Sequence, residues 1–138
     1  MLKLRKIMFK DITSKLDDFE KWQRIAALTV FAVHKPRIFE QGKAADGTSI
    51  GKYSPGYKAK RKSLGKETAF VNLEFYGSMK KDYQVTKSGI VGFGFSNQVE
   101  AEKADKNENH FKKVIFDLTN AEAELYTKTL DELIFGKK

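Results

Sequence analysis

Between Asp11 and Pro36 the apolar residues fall into one register that leaves the chain little choice of local structure. Ile12, Leu16, Phe19, Ala26, Val30 and Val33 recur at three- and four-residue steps, with Trp22 or Gln23 filling the gap. That is the stripe of an amphipathic helix. Asp11 is placed to cap its start. Asp17, Asp18 and Glu20 lie early and His34, Lys35 and Arg37 late, each complementing the helix dipole. Pro36 removes a backbone donor and disfavours helical geometry at Lys35, so the helix is expected to end or kink there. A further turn from Pro36 to Gln41, stopped by Gly42, can follow. Upstream, Leu2 to Phe9 mixes Lys3, Arg5 and Lys6 into apolar residues and predicts a half-exposed edge strand.

The next stretch is of another kind. From Gly42 to Lys66 six lysines and one arginine stand against the single carboxylate Asp46, with no apolar run able to form a core. Asp46-Gly47 and Ser54-Pro55-Gly56 are turn signals, glycine supplying positive φ and proline fixing its own. Tyr57 to Lys62 can form a helical turn, although its charge makes it marginal in isolation. Residues 42–68 are therefore expected to be a flexible basic arm. Its candidate partner-contacting residues are Lys52, Tyr53, Tyr57, Lys58, Lys60, Arg61, Lys62 and Lys66. The same residues suit phosphate contacts, solubility, or docking on an acidic neighbour.

Apolar density returns with Phe70, Val71, Leu73, Phe75, Tyr76 and Met79. Lys80 to Thr86 and Ile90 to Ser96 read as a β-hairpin turning at Lys87-Ser88-Gly89. Val91, Phe93 and Phe95 share one face, and Gly92 and Gly94 share the other. Asn97 to Asn109 is a surface helix or loop, and Val114 to Leu118 a short final strand. Thr119-Asn120-Ala121-Glu122 has capping-box spacing, so a helix burying Ala123, Tyr126, Leu130 and Leu133 should follow. Neither an internal repeat nor a linker is evident, so 1–138 reads as one domain. Its class is α+β: a small, mostly antiparallel sheet packed by the first and last helices, with a long basic loop.

Composition narrows the chemistry. The chain has no cysteine, which removes thiol nucleophiles, thiolate metal sites and disulfides together. Its net charge of +8 favours anionic partners. The N-terminal MLKLRKIMFK lacks the apolar core of a signal peptide, and no run approaches the roughly 18 apolar residues of a membrane span. Use in cytoplasm is expected. The two histidines, His34 and His110, have no metal-ligand spacing around them and read as structural or solvated. Ser54 and Ser78 have no recognisable base. Gly92-Phe93-Gly94 begins like a dinucleotide fingerprint but lacks the third glycine and the helix. Glu100, Glu102 and Asp105 are not spaced as a calcium loop. No catalytic residue, cofactor site or metal site is expected.

The order of these pieces resembles a known family. A long first helix is followed by Asp46-Gly47 and then Tyr53-Ser54-Pro55. Leu73 to Val85 carries Gly77, Met79 and Val85, and a glycine-alternating strand comes next. Phe116-Asp117-Leu118-Thr119 opens the last helix. This looks like the tail-completion or virion-morphogenesis proteins of tailed bacteriophages, the Mu G-like group. Ile50 stands where that family has tryptophan, Tyr76 replaces the threonine before glycine, and Asp82 replaces serine. The segment before the last helix lacks an arginine-proline pair. The resemblance implies a non-enzymatic structural protein of the phage neck, which completes the tail and joins it to the head as a homo-oligomeric ring. It would touch other neck and tail proteins, could contact packaged DNA, and would involve no membrane. It would reside in the virion, after assembly in the host cytoplasm. The alternative is a nucleic-acid-binding domain that uses the basic arm. A weaker third class is a metal-dependent phosphodiester-cleaving enzyme with scattered carboxylates.

Overall fold

The computed structural model describes residues 2–74, 77–86 and 92–136, and within 2–17 the course of the backbone alone. The fold is α+β. Helix α1 spans Leu2–Phe39, α2 Pro55–Ser63, α3 Ser78–Asp82, α4 Gln98–Phe111 and α5 Asn120–Phe135. The strands are β1, Tyr83–Val85, and β2, Phe93–Phe95. They form a two-stranded antiparallel sheet in which Tyr83 faces Phe95 and Val85 faces Phe93.

At 38 residues, α1 is about 57 Å long. It includes the segment expected to be an edge strand, so Leu2 to Phe9 is helical and Asp11 is an interior position rather than a cap. Basic residues among apolar ones fit either period over so short a run, and the longer helix next to it decides the matter. Nor does Pro36 end the helix. The carbonyl it leaves unpaired belongs to Ala32, which is exposed, so water can satisfy it. The chain leaves the helix at Gly42, whose φ of +63° lets Lys43 N donate to Arg37 O at 2.9 Å. A Cβ at Gly42 would lie 2.4 Å from the carbonyl oxygen of Val71.

Asp46 and Gly47 make the expected turn. Ala44 N donates to Thr48 O at 2.8 Å, Lys43 pairs with Ser49, and Gly47 has a φ of +83°. The Asp46 carboxylate accepts from both the amide and the hydroxyl of Thr48 and from Lys113 Nζ. Together these donors hold its pKa down at about 2.

The core gathers Ile38 and Phe39 from the end of α1, Ala44, Ile50 and Val71 from the connections, Met79 from α3, Tyr83 from β1, and Ile115. Phe93 and Phe95 pack on it, as their shared face predicts. Two further expectations need correction. Residues 114–118 form no strand: the Val114 carbonyl accepts from Ala45 N at 2.8 Å, but those of Ile115 and Asp117 accept from the Arg37 side chain of α1, so no ladder continues. The predicted first strand of the hairpin is shortened to Tyr83–Val85, because Ser78–Asp82 forms α3. The predicted hairpin turn at Lys87 to Gly89 lies outside the described residues.

Helix α5 starts on the predicted capping box: Glu122 N donates to Thr119 Oγ1 at 3.1 Å, and Thr119 N to Glu122 Oε1 at 3.2 Å. It packs along α1. Tyr126, Leu130 and Leu133 of the expected stripe are half-buried, but Ala123 is exposed and Glu122 is buried in its place. The cause lies in what Glu122 meets.

Candidate partner interface

The stretch expected to be a loose arm carries α2. Ser54 caps this helix by accepting from Tyr57 N, and Pro55 occupies the first turn, where its missing N–H costs nothing. Three lysines, Lys58, Lys60 and Lys62, are exposed on it, and Lys52 is exposed just ahead of it. Tyr57 is exposed, while Tyr53 and Lys66 are half-buried. The rings of Tyr53 and Tyr57 stand edge to face at 5.3 Å between centroids. Burial raises the pKa of the Tyr53 hydroxyl.

Arg61 departs from the expectation of partner contact, being 2% exposed. Its guanidinium lies over Tyr53, 4.5 Å from the ring centroid. Its Nε donates to Glu67 O at 2.8 Å, and its Nη2 to Asn72 Oδ1 and Glu74 O, each at 3.2 Å. A planar donor fork beneath an aromatic face is a stacked, bidentate use that lysine could not reproduce. Arg61 therefore fastens α2 to the 67–74 segment, and the lysines around it project outward.

Between α2, α3 and α4 lies a cleft of 540 Å³, lined in part by Tyr53, Tyr57, Met79, Glu100, Lys103 and Phe111. Lys103 Nζ lies 3.1 Å from Glu100 Oε1, while Glu100 Oε2 is buried with no hydrogen bond among the described residues. His110, at the same rim, is exposed and stacks edge-on against Phe111.

A second cluster sits wholly inside. His34 is fully buried, with Nδ1 2.9 Å from Glu122 Oε1 and Nε2 2.7 Å from the Tyr83 hydroxyl. The carboxylate can only accept, so Nδ1 carries the proton and Nε2 accepts from Tyr83. Arg37 Nε donates to both oxygens of Glu122, at 3.2 and 3.0 Å. Its remaining nitrogens bind the carbonyls of Lys43 at 2.8 Å, Ile115 at 3.2 Å and Asp117 at 2.9 Å.

Burial lowers the pKa of His34, and the Arg37 charge adds to this against the pull of Glu122, so the imidazole is neutral. Burial pushes Glu122 the other way, but the donors His34, Arg37 and Thr119 outweigh it and hold its pKa below the usual carboxylate value. Burial raises the Tyr83 hydroxyl strongly. A histidine between a carboxylate and a phenol has the makings of acid–base chemistry, but here both ring nitrogens are engaged and no solvent reaches them.

Sequence reasoning assigned Glu122 a local capping role and missed its link to α1. The signal was present, because His34 and Arg37 fall on the same stripe as Ala26 and Val30. Two polar residues on an apolar stripe call for a buried partner. For Arg61 the signal was Tyr57 four residues before it, one turn away on the same helix face.

Among the described residues no group of three or more histidine or carboxylate side chains could hold a metal ion, and no helix is long and apolar enough to cross a membrane. Comparison with protein-family models, with curated proteins and with solved structures finds no match.

Proposed function

We propose that this chain is a structural assembly subunit of a tailed-phage neck, which completes the tail and joins it to the head as one member of a ring, without catalytic turnover. The observation that carries this reading is the meeting of three of the resembling stretches at one point. Arg37 of the first helix binds the carbonyl of Lys43, which leads into Asp46-Gly47, and those of Ile115 and Asp117, which lead into the last helix. Lys113 then ties the Asp46 turn to the same segment at 3.1 Å. Stretches scattered through the sequence thus share one mechanical role, and the body they close presents a lysine-bearing helix outward. The site of action on this reading is the virion, after assembly in the host cytoplasm, and it needs no cofactor. Inactivating the coding sequence in the parent phage should leave separate heads and tails, with the chain present in normal particles at the joint. Infectious, joined particles made without it would overturn the reading.

A nucleic-acid interface is the second reading, favoured by the exposure of Lys52, Lys58, Lys60 and Lys62 together. It expects isolated chains to retain duplex DNA at low salt and to release it steeply as salt rises. A gel shift with no retention at low salt removes it.

A further inference from the structure

We infer that α2 of one copy docks on the outer strip of α5 of a neighbouring copy, in a head-to-tail contact made by two different patches of the same chain. The inference rests on the ring reading above and names the surfaces that would close the ring.

The two patches are opposite in charge and lie on different helices. Helix α2 exposes Lys58, Lys60 and Lys62, and none of them forms an ion pair among the described residues. Helix α5 carries four carboxylates against one lysine, Lys128. Glu122 is spent internally on His34 and Arg37, which leaves Glu124, Asp131 and Glu132 outside the buried network. Glu124, Lys128, Asp131, Glu132 and Phe135 recur at steps of three and four, on one helix face. In a chain of net charge +8, such an acidic strip is a local reversal of sign.

Each patch also has an exposed apolar group at its end. Phe135 is 78% exposed at the end of α5, and Leu64 is 53% exposed at the end of α2. A basic helix ending in leucine and an acidic helix ending in phenylalanine complement each other in both charge and apolar surface. Inside one copy the two helices pack on different partners, α2 held to residues 67–74 by Arg61 and α5 lying along α1. A contact between unlike patches is heterologous, and repetition of it closes a ring when the rotation allows.

The test uses two full-length double variants, Lys58→Glu with Lys62→Glu and Glu124→Lys with Asp131→Lys. Masses are followed by sedimentation across a concentration series at low salt, and folding is checked by circular dichroism. The parent chain should self-associate, and each variant alone should associate about tenfold more weakly or less, because like charges then face each other. An equimolar mixture of the two should reassociate, since each reversed patch finds its complement in the other chain. The contact is overturned by a parent that stays monomeric, by folded variants that associate as the parent does, or by a mixture that stays apart. Loss of duplex retention by the lysine variant with no change in mass would assign α2 to nucleic acid and also overturn it. Failure of this contact with self-association intact leaves the assembly role standing, because that role is judged by particles made without the chain.

Discussion

Arg37 and Glu122 stand 85 positions apart in the chain, yet Nε of one lies 3.0 Å from Oε2 of the other, both side chains buried. Removing one member strands the other charge away from water. Glu122→Gln, nearly equal in volume, should destabilise the fold by about 3–5 kcal/mol in urea titrations, the range seen when one half of a buried pair is lost. A loss under 1 kcal/mol would mean that water reaches Arg37.

The same cluster sets a pH response. His34 has a lowered pKa in the fold, so the unfolded chain binds the extra proton first, and stability should fall as the pH drops below about 6.5. Glu122 and Asp46 also have lowered values, so their contributions hold above the normal carboxylate range and fade as acid protonates them, Asp46 only towards about pH 2. His34→Gln should remove the slope just below neutrality and leave the more acidic limb. Denaturation midpoints from pH 8 to 3 check this, and an unchanged slope would place the proton uptake elsewhere.

At the alkaline end the sign reverses. Tyr83 has a raised pKa, so its contribution is full below about pH 10 and is lost as the unfolded chain ionises above it. Tyr83→Phe should flatten that limb. It should also cost about 1 kcal/mol at neutral pH by removing the donor to His34 Nε2. Spectroscopic titration of tyrosinate in parent and variant is the measurement.

The long helix, the Asp46-Gly47 turn and the capping box of α5 were legible because each rests on local chemistry, whereas Ser54-Pro55-Gly56 read as a turn and proved to be the start of α2. A stripe, a glycine or a cap acts within a few residues. What was hidden depends on groups far apart in sequence. Arg61 looked like a surface cation because the acceptors that bury it, at Glu67, Asn72 and Glu74, are backbone carbonyls and an amide, which composition cannot reveal. Residues 114–118 looked like a strand because they are mostly apolar, but the carbonyls of Ile115 and Asp117 serve Arg37 instead of a ladder.

Arg61→Met should therefore behave as a core mutation in a lysine-rich segment. It leaves the carbonyls of Glu67 and Glu74 without a donor and should cost about 2–4 kcal/mol, whereas Lys62→Ala next to it should change stability by no more than about 0.5 kcal/mol. Trypsin should cut after Lys58, Lys60 and Lys62 much faster in the Arg61→Met chain than in the parent. Equal rates would mean that α2 is not held by that guanidinium.

Two glycines with positive φ separate backbone strain from crowding. Gly47 has open space around it, so Gly47→Ala should cost only the conformational term, about 1 kcal/mol. Gly42→Ala would also press a methyl against the carbonyl oxygen of Val71 and should cost clearly more. Thermal melts of the two variants side by side decide it, and equal losses would show that the Gly42 turn can shift.

Because the guanidinium of Arg37 takes its carboxylate and two of its carbonyls from residues 115–122, the body cannot finish forming while it is still being made. The first helix leaves the ribosome carrying a cation meant for the interior, and its counter-ion is translated only with the last helix. A nascent chain stalled before Glu122 should remain open to protease however much of its sequence has already emerged.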